Sequence, residues 1–241
     1  MDAPTLSVVA PVHDEVTVVA ELVRRIRAAI GASGQIVIVD DASTDGTAEV
    51  LAGLPDVHVV TLGDNLGQFR ATCAGLSATT GEQIVVLDGD LQDPPELIGE
   101  LVAALGDGDV AFAVKTSRVD PSWFRVGRWG YRLLARLGRG VPPSGAGSYC
   151  VMSRKLAMQI AESPLRSANL SAVIVSLAEG RATWRTVDYA KAERYDGRSR
   201  VGPVGLVKEA LGSLRATGAL SRLMGVAVVA VVAALLWAFG P

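Results

Sequence analysis

The sequence predicts an α/β fold: a mostly parallel sheet flanked by helices, followed by basic amphipathic segments and one apolar C-terminal helix. Three observations carry that expectation. Short β-branched runs alternate with segments whose apolar residues recur at helical spacing, which implies right-handed crossovers between parallel strands. Polar and acidic residues gather just after several of these runs, at the rim where ligands bind in such sheets. Finally, residues 223–239 form a stretch of 17 residues without a charge.

Residues 6–12 are the first strand, and 15–30 the first helix, with Val18, Val19, Leu22, Val23 and Ile26 on one face. A second strand (36–39), a short helix (47–54) and a third strand (57–62) follow. The next helix (68–79) is closed by Gly81. The fourth strand, 84–87, is too short for a helix and rich in β-branched residues, so it suits a buried parallel strand. Asp93-Pro94-Pro95-Glu96 then reads as a helix start, with Asp93 as N-cap and Glu96 at N3 of a helix over 94–105. Strands at 110–114, 148–152 and 182–189 and helices at 153–162 and 169–179 complete the domain.

Acidic side chains cluster at the strand ends: Asp14 and Glu15 beside His13 after the first strand, Asp40, Asp41 and Asp45 after the second, Asp88 and Asp90 after the fourth. Helix caps account for Asp14 and one of Ser43, Thr44 or Asp45. They do not account for Asp40 and Asp41 together with Asp88 and Asp90, four carboxylates on one rim whose like charges repel unless a cation or protons offset them. Oxygen ligands of this kind select a hard divalent cation, Mg2+ or Mn2+. A Gly-x-Gly-x-x-Gly turn and a phosphate loop ending Gly-Lys-Ser/Thr are both absent, which removes the two commonest nucleotide-binding readings. His13 and His58 lack zinc-ligand spacing, and no Ser-His-Asp set stands out.

Net charge is −2, so nothing global points to nucleic acid, but carboxylates dominate the first half and arginines the second. The two cysteines, Cys73 and Cys150, sit among small and apolar residues and read as buried free thiols. No basic-then-apolar leader opens the chain, so no secretory signal is expected. Residues 121–138 carry arginines at helical spacing among aromatics, as an interfacial helix does. Residues 193–200 place three arginines around a glycine, a pattern suited to gripping phosphate. A basic amphipathic helix over 201–222 leads into the apolar segment 223–239. That segment reaches ~25 Å, close to a ~30 Å hydrocarbon core. Its basic flank places the large domain on the cytoplasmic face if it spans. The alternatives are an interfacial position or the core of a homo-oligomer.

Several motifs occur together in one order: 7–15 (Ser-Val-Val-Ala-Pro-Val-His-Asp-Glu), 39–47 (Val-Asp-Asp-Ala-Ser-Thr-Asp-Gly-Thr), Asn65-Leu66-Gly67-Gln68, Asp88-Gly89-Asp90-Leu91-Gln92-Asp93-Pro94-Pro95-Glu96, and the arginines from Arg194 to Arg200. In this order they resemble the inverting family 2 glycosyltransferases of GT-A (Rossmann-like) fold, and within them the polyprenyl-phosphate glycosyltransferases, including dolichyl-phosphate mannose synthases. The resemblance implies a catalytic domain over 1–200 that transfers a hexose from a GDP- or UDP-linked sugar to membrane-borne polyprenyl phosphate. Pro11, Glu15 and Asp41 would hold base and ribose, with Val12, His13, Asp40, Gln68 and Gly89 in the wider donor site. Asp88, Asp90 and Gln92 would hold the cation. Arg194, Arg198 and Arg200 would close over the phosphates, Asp88, Asp90 and Arg194 being the catalytic set. Lys115 and Arg128 would contact the acceptor. His13-Asp14 stand where relatives carry Tyr-Asn, Ser148 where many carry aspartate, and Lys115 where many carry arginine. Two alternatives stay open: the same donor chemistry on a glycan, glycolipid or protein hydroxyl, and a nucleotide-sugar-binding partner subunit without catalysis.

Overall fold

A computed structural model of the chain describes residues 6–116, 142–164, 169–177 and 184–190, together with Arg215 and Gly218. The expected segments at 121–138, 193–200, 201–222 and 223–239 lie outside the described residues, apart from those two positions, and Arg128, Arg194, Arg198 and Arg200 lie there with them. Among the described residues, no helix is long and apolar enough to cross a membrane.

Among the described residues the apolar runs become seven strands of one sheet: β1 (Leu6–Val12), β2 (Gln35–Asp40), β3 (His58–Thr61), β4 (Gln83–Val86), β5 (Val110–Lys115), β6 (Ala146–Ser153) and β7 (Trp184–Tyr189), in the order β3-β2-β1-β4-β6-β5-β7. The intervening helices are α1 (Val19–Ile30), α2 (Thr47–Ala52), α3 (Gln68–Ser77), α4 (Ile98–Leu105), α5 (Arg154–Ala161) and α6 (Leu170–Leu177). β1 pairs in parallel with β2 and β4, β2 with β3, and β5 with β7. β6 runs antiparallel to both β4 and β5. The sheet is therefore mixed, as a mostly parallel sheet with one reversed strand. That reversal matters for the site, because it brings the beginning of β6 to the rim where the parallel strands end.

Strand alternation divides the core between the two faces. Val8, Ala10 and Val12 meet Val19, Leu22 and Ile26 of α1 and Leu101 of α4. Val9, Val37 and Val39 face Phe69 and Leu76 of α3, with Ile160 and Ile174 beyond. Gly75 lets α3 approach this closely: a Cβ there would lie 2.4 Å from Val9 Cγ1. Both cysteines are buried and free, as expected.

Two local expectations need correction. α1 begins at Val19 rather than Glu15. Asp14 is left-handed (φ 54°), and the N–H groups of Asp14, Glu15 and Val16 are taken by Ser43 Oγ, Thr47 Oγ1 and Asp45 Oδ2. Residues after β1 thus bond the loop after β2 and do not extend the helix. Asp93, in turn, is not a helix cap. Pro94 stays extended (ψ 119°) ahead of Pro95, as the residue before a proline does, and a 3-10 turn, Pro95–Leu97, precedes α4 with no side-chain cap. Glu96 pairs instead with Arg25 of α1 at 2.6 Å.

Candidate active site at the carboxyl rim of the sheet

The rim at the end of β4 is built by close backbone approach. Leu87 is buried and donates its N–H to Val9 O at 3.1 Å, so the chain leaves β4 still tied to β1. At Gly89 a Cβ would sit 2.6 Å from Pro11 O and 2.7 Å from Val12 Cγ1. The glycine is therefore required by β1, whatever approaches from solvent. Asp90 Oδ1 accepts the Gln92 N–H at 3.1 Å, and Leu91 between them takes a left-handed conformation (φ 59°) with its side chain buried. A buried non-glycine residue held at positive φ marks a turn dictated by its surroundings.

Asp88 is held from two other elements. Gln68 Nε2, at the start of α3, and Ser148 Oγ, on β6, each donate to Asp88 Oδ1 at 2.5 Å. Both bonds fall on one oxygen, so Oδ2 stands outside this pairing. Lys115, at the end of β5, reaches the rim from the other face of β6: a Cβ built on Gly147, which would point away from the side chain of its neighbour Ser148, would be 3.8 Å from its Nζ. Gln68 and Ser148 thus converge on Asp88 from α3 and β6, with Lys115 farther along the same rim.

The neighbouring rim, at the ends of β1 and β2, is organised by carboxylates that accept backbone donors. Asp41 is buried, and its two oxygens accept the N–H groups of Leu66 and Gly67, each at 2.8 Å. Asp40, also buried, accepts the Ser43 N–H at 3.1 Å. His13 Nδ1 is 2.9 Å from Asp41 O and, because a carbonyl only accepts, donates to it; Nε2 lies 3.0 Å from the Asn65 amide and 3.4 Å from Asp14 Oδ2. Asp45 accepts from the Thr47 hydroxyl and from the N–H groups of Thr47 and Val16. Desolvation opposes its ionisation, but these donors outweigh it and hold its carboxyl below the usual range.

Of the residues expected at the site, the structure brings Pro11, Val12 and Gly89 into contact, joins Asp88 to Gln68, places Asp41 under the Asn65–Gln68 turn, and sets Lys115 beside β6. Ser148 emerges as a direct partner of Asp88. Its position in the motif order singled it out, but nothing local revealed the contact. Asn65 was legible only as part of a motif, and its partner His13 is 52 residues away.

The oxygen donors Asp88, Asp90 and the Gln92 amide suit Mg2+ or Mn2+. Among the described residues no group of three or more His, Cys, Asp or Glu side chains could enclose a metal. A cation on Asp88 and Asp90 would therefore rely on ligand oxygens to complete its coordination, as Mg2+ does when it bridges substrate phosphates.

The profile of glycosyl transferase family 2 matches residues 7–160, the stretch that contains β1 to β6 and every site residue described above. The chain belongs to glycosyl transferase family 2. Among relatives of known name, it is 34% identical over 98% of its length to an undecaprenyl-phosphate 4-deoxy-4-formamido-L-arabinose transferase of Enterobacter sp. (strain 638), covering 78% of that protein. The protein of the same name from Pseudomonas aeruginosa (strain LESB58) is also 34% identical, over 84% of this chain; the chain spans 62% of that relative's length. The fold is shared with glucosyl-3-phosphoglycerate synthase of Mycobacterium tuberculosis, crystallised with Mn2+, UDP and glucosyl-3-phosphoglycerate (TM-score 0.60, 23% identity, 91% of this chain and 80% of that one). It is shared too with mannosyl-3-phosphoglycerate synthase of Rubrobacter xylanophilus (TM-score 0.66, 18% identity, 92% and 75%). The family 2 chain described here is accordingly a glycosyltransferase with an α/β GT-A-like fold.

Proposed function

We propose that this family 2 glycosyltransferase moves a hexose from a GDP- or UDP-linked sugar to a polyprenyl phosphate, with Mg2+ or Mn2+ and with inversion at the anomeric carbon. The observation that carries the reading is the company Asp88 keeps. The side chains that bond it are an amide (Gln68) and an alcohol (Ser148), neither of them a general base, and the nearby rim carries the ammonium of Lys115. A hydroxyl acceptor needs a base to remove its proton. A phosphate monoester, with a second pKa of about 6, is already ionised at neutral pH and attacks without one. Lys115 would attract that phosphate.

In this reading Asp88, Asp90 and Gln92 hold the cation, which neutralises charge developing on the departing nucleoside diphosphate. Pro11, Val12, His13, Glu15, Asp40 and Asp41 line the base and ribose side. Arg128, Arg194, Arg198 and Arg200 would meet the phosphates of donor and acceptor. Segment 223–239 would anchor the chain with the catalytic domain on the cytoplasmic face. The names of the 34%-identical relatives support a polyprenyl phosphate as acceptor.

The test incubates membranes containing the full chain with polyprenyl phosphate, Mn2+ or Mg2+ and radiolabelled UDP- and GDP-linked hexoses and pentoses. A lipid-linked sugar is expected with one donor, and Asp90→Ala should abolish it. No product with any donor, or an Asp90→Ala variant as active as wild type, defeats the reading. Product with a pentose alone would correct the sugar class and leave the acceptor standing.

A further inference from the structure

Asp93 is fully buried, yet it caps no helix. A carboxylate withdrawn from water is costly unless donors meet it, and an apolar side chain would fill the same space more cheaply. Here Tyr189 Oη donates to Oδ1 at 2.5 Å, and the main-chain N–H of Asp88 donates to Oδ2 at 3.3 Å. One carboxylate thus joins the last residue of β7 to the backbone from which the Asp88 side chain springs.

The other end of that link is equally fixed. Tyr189 O accepts both the N–H and the hydroxyl of Thr116, each at 3.1 Å, and Tyr189 lies opposite Lys115 in the β5–β7 pair. The Tyr149 ring meets that of Tyr189 edge-on, with centroids 5.8 Å apart, and its hydroxyl donates to Pro94 O at 2.8 Å. Burial, reinforced by the charge of Asp93, pushes both tyrosine hydroxyls well above their ordinary range, so they remain donors throughout the working pH range.

We propose that Asp93 is a positioning residue for the reaction: through Tyr189 it sets the Asp88-Gly89-Asp90 turn in register with the end of β5, where Lys115 stands. The proposal rests on the reading of Asp88 and Asp90 as the cation site. Asp93 itself touches neither cation nor substrate. It determines where the carboxylates that do so are held, and outer partners of this kind typically alter metal affinity by about 10- to 100-fold when removed.

The experiment titrates Mn2+ into the full chain in detergent, with UDP or GDP present, and follows free Mn2+ by electron paramagnetic resonance. Wild type is compared with Asp90→Ala, Asp93→Asn, Tyr189→Phe and Tyr149→Phe, and thermal unfolding is recorded for each. Tyr149→Phe removes a hydroxyl from the same buried cluster without touching Asp93. Asp93→Asn and Tyr189→Phe are expected to weaken Mn2+ binding about tenfold, with Tyr149→Phe within about twofold of wild type at a comparable loss of stability. If Asp93→Asn and Tyr189→Phe bind Mn2+ no more weakly than Tyr149→Phe, the positioning role is overturned, while loss of binding in Asp90→Ala leaves the cation site standing. If Asp90→Ala binds as wild type does, the cation site itself is misassigned and the proposal falls with it.

Discussion

Ser148 donates its hydroxyl to Oδ1 of Asp88 at 2.5 Å across 60 residues of sequence. The contact exists because β6 is antiparallel: Val86 lies opposite Cys150, and two further steps along both strands bring 148 beside 88. With Gln68 on the same oxygen, the Asp88 carboxylate is held by two neutral donors. Ser148→Ala is expected to lower the rate of sugar transfer about tenfold, as loss of an orienting partner does. Ser148→Thr, which keeps the hydroxyl, should retain most activity. Initial rates measured across a Mn2+ series check this, and a Ser148→Ala variant with unchanged rate would make the bond incidental.

Gly89 is the tightest point of the site. Its missing Cβ would fall 2.6 Å from a backbone oxygen, which cannot rotate aside as a side chain could. Gly89→Ala should therefore push the turn away from β1, destabilise the fold by about 1–3 kcal/mol, and remove activity well beyond that loss. Urea denaturation gives the first quantity and transfer assays on the folded fraction give the second. An active, stable Gly89→Ala variant would show that the loop shifts at no cost.

The strands were legible because burial on two faces leaves a plain mark: β1 is expected and observed over the same residues, and the other strands differ only at their ends. The direction of β6 was not, since it depends on how the chain returns from β5, and nothing within 146–153 encodes that path. The start of α1 was misread for a related reason. Asp14, Glu15 and Val16 are bonded by residues 29 to 32 positions away, and a helical pattern contains no trace of such partners. Asp93 shows the same limit in sharper form. Asp-Pro-Pro-Glu is a good local signature of a helix start, but a tyrosine 96 residues on outbids the cap. The acidic rim itself was readable because Asp88 and Asp90 had no local explanation.

Cys73 is buried against α5, where its thiol lies 3.4 Å from Ile160 O, and desolvation pushes its pKa up from an ordinary 9.0 to about 11. The raised value fixes the sign of the linkage. Its contribution to stability is complete at neutral pH, begins to fall as pH passes 9, and is lost as pH rises through about 11. Cys150, wholly buried, is shifted upward in the same direction. Neither thiol should react with iodoacetamide at pH 7.5 in the native chain, and both should react once urea unfolds it. Mass spectrometry of the alkylated protein checks this; rapid native labelling of Cys73 would mean that the contact between α3 and α5 opens readily.

Asp41 carries two roles that one substitution separates. Resemblance assigns it to the nucleotide, whereas its geometry shows both oxygens taken by the N–H groups of Leu66 and Gly67 at the entry to α3. Asp41→Asn turns one acceptor into a donor facing an N–H, which leaves a buried group unsatisfied at about 1–3 kcal/mol. The expected outcome is a lower unfolding midpoint in the absence of any nucleotide, because the 62–67 loop loses its anchor. Gln68, the next residue, would then hold Asp88 less firmly, so transfer should slow as well. If the carboxylate served the nucleotide alone, Asp41→Asn would weaken UDP or GDP binding by calorimetry and leave the ligand-free midpoint unmoved. A depressed midpoint that saturating nucleotide does not restore to the wild-type value assigns Asp41 first to the scaffold, and through the scaffold to the cation site.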